Sequence, residues 1–290
     1  MAGKKQVLGN KTEKVSLIIL ILNSFLFAIK ITGAVLFGSV ALLSDAINSL
    51  VDIFGSVAVF AGVKESAKAP DKCHPFGHYR AQPLAAFVIA VLTAIFGFEV
   101  IKIAIDKILS GKIELVALPA IAILLISMVI KIGMWFLAKK TSKQENSIAL
   151  EASAIDCRND VLVDAVAITG IYLASLGQPL FDPIAAIAIG IYVLKSAVDI
   201  ARENTGYLMG KSPKEEVIKK MKETAARVNG VVKVNEVKAQ YLGSCIQVEV
   251  HIGIDKKTNL EEAHKIGHAV EVSLEQIEKV SDCIAHIDPA

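Results

Sequence analysis

The sequence predicts an α-helical membrane protein, with six transmembrane helices followed by a small cytoplasmic α+β domain of αββαβ order. Three observations carry this. Of the 290 residues, 53% are hydrophobic and the mean hydropathy is +0.54, too apolar for an ordinary soluble chain. The apolar residues crowd positions 15–208 in six long runs, each near the length that crosses a bilayer. Beyond them the pattern changes to short alternating and amphipathic segments. A net charge of +2 is close to neutral and gives no reason to invoke nucleic acid.

The first run, 15–37, follows a basic, polar segment, 1–14, expected in the cytoplasm. It continues past a signal-peptide core and shows no small-residue cleavage site, so it reads as a retained span. Gly38-Ser39 separates it from the second run, 40–63. The third, 81–109, is parted from the fourth, 113–138, at Ser110-Gly111; Gly177-Gln178-Pro179 parts the fifth, 148–176, from the sixth, 180–208. Lys4, Lys5, Lys11 and Lys14 precede the first run. Lys64, Lys68, Lys72 and Arg80 surround the second loop and Lys139, Lys140 and Lys143 the fourth, while the first and fifth loops have neither Lys nor Arg. The positive-inside rule then puts both termini in the cytoplasm.

The tail, 209–290, has the composition of a separate domain. A helix is expected over 213–228, with Ser212 as N-cap and Pro213 in the first turn. Strands follow at 231–240 and 246–254 with Gly243-Ser244 in the turn, then a helix at 260–277 and a strand at 281–287. Cys73, Cys157, Cys245 and Cys283 have no C-x-x-C spacing, which predicts reduced thiols rather than a zinc finger or disulfide framework.

Two runs are interrupted by polar pairs four residues apart, Asn48 with Asp52 and Asp156 with Asp160. That step puts both side chains of a pair on one helix face, one turn apart. Run two descends from the outer side and run five rises from the inner side, so both pairs reach a comparable depth near the bilayer middle. Charge at that depth is costly and marks an ion path, and four oxygen donors make a cage for a divalent cation. The competing explanation is interhelical hydrogen bonding, or pairing with a membrane lysine such as Lys30; two pairs at matched depth favour the cage. Asp45 and Asp164 continue similar faces, as groups supporting the ligands, lining an aqueous approach, or neither. In the second loop Asp71, His74 and His78 offer a carboxylate and two imidazoles, donors that suit zinc-like metals, with solvated imidazoles as the alternative. The tail carries His251, His264, His268 and His286 with Asp288 nearby, either ligands or surface histidines of a dimerising domain.

Five segments occur in order along nearly the whole chain: Gly38-Ser39-Val40-Ala41-Leu42-Leu43-Ser44-Asp45-Ala46, Ser49-Leu50-Val51-Asp52, His74-Pro75-Phe76-Gly77-His78, Asp156 to Asp160, and His286-Ile287-Asp288-Pro289. Together they resemble the cation diffusion facilitator (cation efflux) family, and its manganese-exporting members in particular. The resemblance implies a homodimer with a metallochaperone-like tail in the cell membrane of a prokaryote. It would export divalent transition metal against inward proton flow, by alternating access, with no prosthetic group and no enzymatic activity. The resemblance assigns the transport site to Asn48, Asp52, Asp156 and Asp160, and a second site to Asp71, His74 and His78. It places tail sites at His251, His264, His286 and Asp288, where the family stabilises the dimer or senses metal. Asn235 stands where the family often has a histidine.

Ligand chemistry narrows the cargo. Three carboxylates and an amide oxygen form a hard shell that suits manganese, at the weak end of the Irving–Williams order, ahead of iron(II), zinc or cobalt. Metal and protons would compete for Asp52, Asp156 and Asp160. An intramembrane aspartyl enzyme is the rival reading, but no Gly-x-Gly-Asp segment is present and four groups at matched depth suit an ion better.

Overall fold

The computed structural model describes residues 2–37, 40–110, 118–175 and 181–290, and the chain divides into two compact units, Met1–Thr205 and Gly206–Ala290. Six long helices make the first unit: α1 (Ala2–Phe37), α2 (Val40–Ser66), α3 (Ala81–Ser110), α4 (Leu118–Glu145), α5 (Ile148–Ser175) and α6 (Phe181–Leu208). Four stretches are long and apolar enough to cross a membrane over their described residues: Lys11–Leu36, Ala81–Ser110, Ala122–Glu145 and Pro183–Leu208. They belong to α1, α3, α4 and α6. The remaining two helices carry the polar pairs, and α5 alone bears Glu151, Asp156, Arg158, Asp160 and Asp164, which lower its apolar character. The predicted breaks at Gly38-Ser39, Gly111 and Gly177-Gln178-Pro179 lie outside the described residues.

Two helices outrun their predicted apolar runs. α1 begins at Ala2 rather than near residue 15, and α4 continues to Glu145 rather than stopping near 138. The added stretches are rich in Lys, Gln and Glu, good helix formers that hydropathy does not register. The α4–α5 boundary is set by Asn146, at φ 51°, a conformation that asparagine tolerates better than most residues. Ser147 follows it, and its hydroxyl accepts from the Leu150 N–H at 3.4 Å, capping α5.

Within this unit α1 packs on α2, α4 on α5, α2 on α3, and α2 and α3 both meet α5. The α2–α3 crossing needs a glycine: a Cβ on Gly62 would stand 2.6 Å from Ala85 Cβ and 2.8 Å from the Ala81 carbonyl oxygen. Near that crossing Gln82 donates to Ser66 Oγ at 3.0 Å and accepts from Ser147 Oγ at 2.9 Å, a buried polar tie between α2, α3 and the start of α5. Asn23 of α1 donates to Ser56 Oγ of α2 at 2.6 Å, and Ser56 donates on to the Asp52 carbonyl oxygen at 2.8 Å.

The second unit contains α7 (Glu215–Ala226), β1 (Lys233–Leu242), β2 (Cys245–Ile254), α8 (Leu260–Glu275) and β3 (Val280–Pro289). This is the expected αββαβ order, with one sheet in the order β1-β2-β3. α7 starts later than predicted: Lys214 is the N-cap, extended at ψ 148° and without a side-chain cap bond, so Ser212 does not cap it. α8 is capped as helix starts commonly are, with the Asn259 side chain accepting from the Glu262 N–H at 2.9 Å. Gly243, at φ 63°, opens the two-residue β1–β2 turn, a position that favours glycine. β1 and β2 are antiparallel, and β2 and β3 are parallel with α8 as the crossover.

Alternation along β2 sends Val248, Val250, Ile252 and Ile254 into a core with Met221, Ala225, Val270 and Leu274 from the helices. Burying each of the larger aliphatic side chains contributes about 1.5–3 kcal/mol. The four cysteines are free, and burial pushes the Cys283 thiol up to about 12. Because this unit has its own core, residues 206–290 expressed alone should show a mixed helix–strand circular dichroism spectrum and a cooperative thermal transition. Val250→Asp, which puts an unpartnered charge in that core, should remove the transition. A fragment without cooperative melting, or a Val250→Asp fragment that keeps it, would contradict this account.

Candidate metal centres

Asn48 and Asp52 of α2 and Asp156 and Asp160 of α5 line one cavity of about 20 Å³, room for about one water-sized sphere. Val51, Ile89, Leu92 and Phe96 supply its apolar walls. One carboxylate oxygen from each of Asp52, Asp156 and Asp160 lies within 4.8 Å of the other two. The four-residue step explains this: each helix presents two donors on one face, and the α2–α5 packing brings those faces together. Thr93 of α3 fixes one of these carboxylates, donating from Oγ1 to Asp156 Oδ1 at 2.7 Å.

One further charged residue belongs here that sequence reasoning passed over. Lys131 of α4 is buried, and its Nζ donates to Asp52 Oδ2 at 2.7 Å and to Asp160 Oδ2 at 2.7 Å. Lys30, the lysine that the competing explanation offers as an example of a pairing partner, is also buried, on α1. Lys131 announces itself by the same rule that singled out the aspartates, as an ionisable residue inside an apolar run. Its sequence gives no hint of which helix it faces, and only the packing supplies that. Asp164, one turn beyond Asp160, is half-buried and does not line the cavity. The Asp45 side chain lies outside the described residues.

The loop after α2 brings Asp71, His74 and His78 together, with one ligand atom of each within 4.8 Å of the others. Asp71 Oδ1 accepts from the backbone N–H groups of His74 at 2.6 Å and Cys73 at 2.8 Å. That turn folds the loop back so that Asp71 stands 3.4 Å from His78 Nε2 and 3.6 Å from His74 Nδ1. The same N–H groups, His74's foremost, hold the Asp71 carboxyl below its usual range. Glu65, at the end of α2, adds a carboxylate 3.8 Å from His78 Nε2. It lies six positions before Asp71, so local spacing does not suggest it.

In the tail, the parallel register pairs His251 of β2 with His286 of β3, their ring centroids 4.6 Å apart. Both lie on the sheet face opposite the helix-covered one, as do Glu249 and Asp288 two residues along each strand. Asp288 stands 3.3 Å from His286 Nε2 and 3.9 Å from His251 Nδ1. His251 Nε2 lies 3.0 Å from Glu249 Oε1, and this contact holds the Glu249 carboxyl below its usual range. A bulge in β1 between Val234 and Glu236 re-aims Asn235, which donates to Asp288 Oδ2 at 2.7 Å. His264 does not join this group. It is exposed on α8, whose Ala263, Gly267, Val270 and Leu274 face the sheet.

Comparison with known proteins accords with this geometry. A model of the cation efflux transmembrane domain matches residues 16–209, and one of the cation efflux protein cytoplasmic domain matches residues 213–290. An uncharacterized transporter of Methanocaldococcus jannaschii is 32% identical over 278 residues, covering 96% of this chain and 98% of that one. The manganese efflux system protein MneS of Bacillus subtilis is 31% identical over 280 residues, covering 96% of each chain. MneP, a second manganese efflux system protein of Bacillus subtilis, is 27% identical over 297 residues, covering 100% of this chain and 99% of its own. Two domains matched end to end, together with relatives of this identity over the full length, establish that the chain belongs to the cation efflux family of membrane transporters.

Proposed function

We propose that this protein exports manganese(II), and that Asn48, Asp52, Asp156 and Asp160 bind the ion during passage. The observation that carries the proposal is the meeting of three carboxylates from α2 and α5, with Asn48, around one ion-sized cavity. Every donor there is oxygen. Imidazole and thiolate would hold zinc, copper or nickel, whereas carboxylate and carbonyl oxygens suit manganese. The manganese efflux relatives support the same cargo.

In this reading all six long helices cross the bilayer, with 15–208 as the transport domain, 1–14 and 209–290 in the cytoplasm, and the cell membrane of a prokaryote as the site of action. Charged α2 and α5 are tolerated because their polar faces point at one another and at the cavity instead of at lipid. The tail joins two copies into a homodimer. Its His251, His286 and Asp288, and the loop's Asp71, His74 and His78, bind metal on the cytoplasmic side, outside the transport path. Transport proceeds by alternating access, with metal leaving in exchange for protons.

Two measurements test this. In proteoliposomes, Asp52→Asn or Asp160→Asn removes a charged ligand at constant shape and should cut manganese flux by about tenfold or more. Flux near that of the parent, at matched protein content, would remove these residues from the site. The second measurement concerns selectivity: Asn48→His with Asp156→His adds two nitrogen donors, from which zinc gains more than manganese. Zinc transport relative to manganese should rise in the double variant, and an unchanged ratio would mean that these side chains do not set selectivity.

A further inference from the structure

The transport reading gives Lys131 no task, yet its ammonium holds two of the three carboxylates that would hold a cargo ion. Nζ lies 2.7 Å from Asp52 Oδ2 and 2.7 Å from Asp160 Oδ2, between the two helices that supply the ligands. A divalent ion bound to carboxylate sits about 2.1 Å from each oxygen. Sharing those two oxygens would bring it within about 4 Å of the ammonium, where cations repel strongly in a site screened from water. The two cannot occupy the space between Asp52 and Asp160 together. Among the described residues, those lining the cavity belong to α2, α3 and α5, so Lys131 approaches the carboxylates from outside it. Lys131 reaches the carboxylates on a four-carbon stem, a tether along which an ammonium can change position by rotation about its own side-chain bonds.

We propose that Lys131 is a tethered counter-cation that competes with the cargo. It fills the space between Asp52 and Asp160 when no metal is bound, and swings aside as the metal enters. On departure of the metal it returns, so the carboxylates exchange one cation for another and the site releases its cargo instead of trapping it. The same competition favours divalent ions: a monovalent ion brings no more charge than the ammonium it must displace.

The inference rests on Asp52 and Asp160 being cargo ligands, and one variant separates the two claims. By calorimetry on the full-length protein with Mn²⁺, Asp160→Asn should lose one binding component, the membrane site's. Binding identical to the parent would overturn the ligand assignment and this inference with it. Lys131→Met keeps the stem and removes the charge. It should bind Mn²⁺ in that component about tenfold more tightly, because no internal cation has to be displaced. Added Mn²⁺ should also raise its melting temperature by more than it raises the parent's, whereas a lysine with only a packing role would lower both melting points alike. Lys131→Arg, whose fork grips carboxylates in bidentate fashion, should bind Mn²⁺ more weakly than the parent. Equal or weaker Mn²⁺ binding by Lys131→Met, with a thermal shift no larger than the parent's, would overturn the proposal. If Lys131→Met does not fold, Lys131→Arg decides: an affinity equal to or above the parent's has the same meaning.

Discussion

Negative charge placed among apolar helices is the constraint on which the rest of this structure depends. Asp52, Asp156 and Asp160 lie on helices packed against apolar neighbours, and apolar surroundings offer such groups nothing. The structure answers with partners from three directions. α2 and α5 turn their polar faces inward, toward one another. Thr93 of α3 donates to Asp156, and Lys131 of α4 donates to Asp52 and Asp160. Leaving a buried charge without a partner costs several kcal/mol, so these contacts fix which helices must be neighbours as much as they define a site. The close approach at Gly62 and the Ser66–Gln82–Ser147 tie hold α2, α3 and α5 in register near one end of the bundle.

The tail solves a different problem with different physics. Its ligand candidates are exposed or half-buried, and nothing is gained by hiding them. Strand register gathers them instead: parallel pairing of β2 with β3 sets His251 beside His286, and the β1 bulge turns Asn235 toward Asp288. The two clusters therefore offer contrasting donors, imidazole with carboxylate in the tail and oxygen alone between α2 and α5. A cargo that must be released is served by the weaker set. A metal that is to be held or sensed is served by the stronger.

Much of this was legible in the sequence, and the parts that were not have identifiable causes. Pairs four apart on helices, and residues two apart on strands, report their own shared face, so Asn48/Asp52, Asp156/Asp160 and His286/Asp288 could be grouped from spacing alone. What spacing cannot report is which face of one element meets which face of another. Lys131 and Lys30 are both lysines inside apolar runs, and helix packing brings Lys131 to the carboxylates. Glu65 lies too far from Asp71 in sequence for a local rule to join it to the loop. His264 looked like a partner of His251 and His286 by residue type, but the apolar stripe of α8 turns it to solvent. Helix ends were missed where hydropathy was the guide, since the charged ends of α1 and α4 are good helix formers that no membrane criterion detects.

The cargo site is tested most directly by diffraction from Mn²⁺-loaded crystals at the manganese absorption edge, where anomalous scattering locates the ion itself. The account predicts a peak in the cavity between α2 and α5, within coordination distance of Asp52, Asp156 and Asp160, with Lys131 Nζ withdrawn from between Asp52 and Asp160. Peaks confined to the histidine clusters of the loop and tail, with Lys131 still bridging the two aspartates at saturating Mn²⁺, would contradict it.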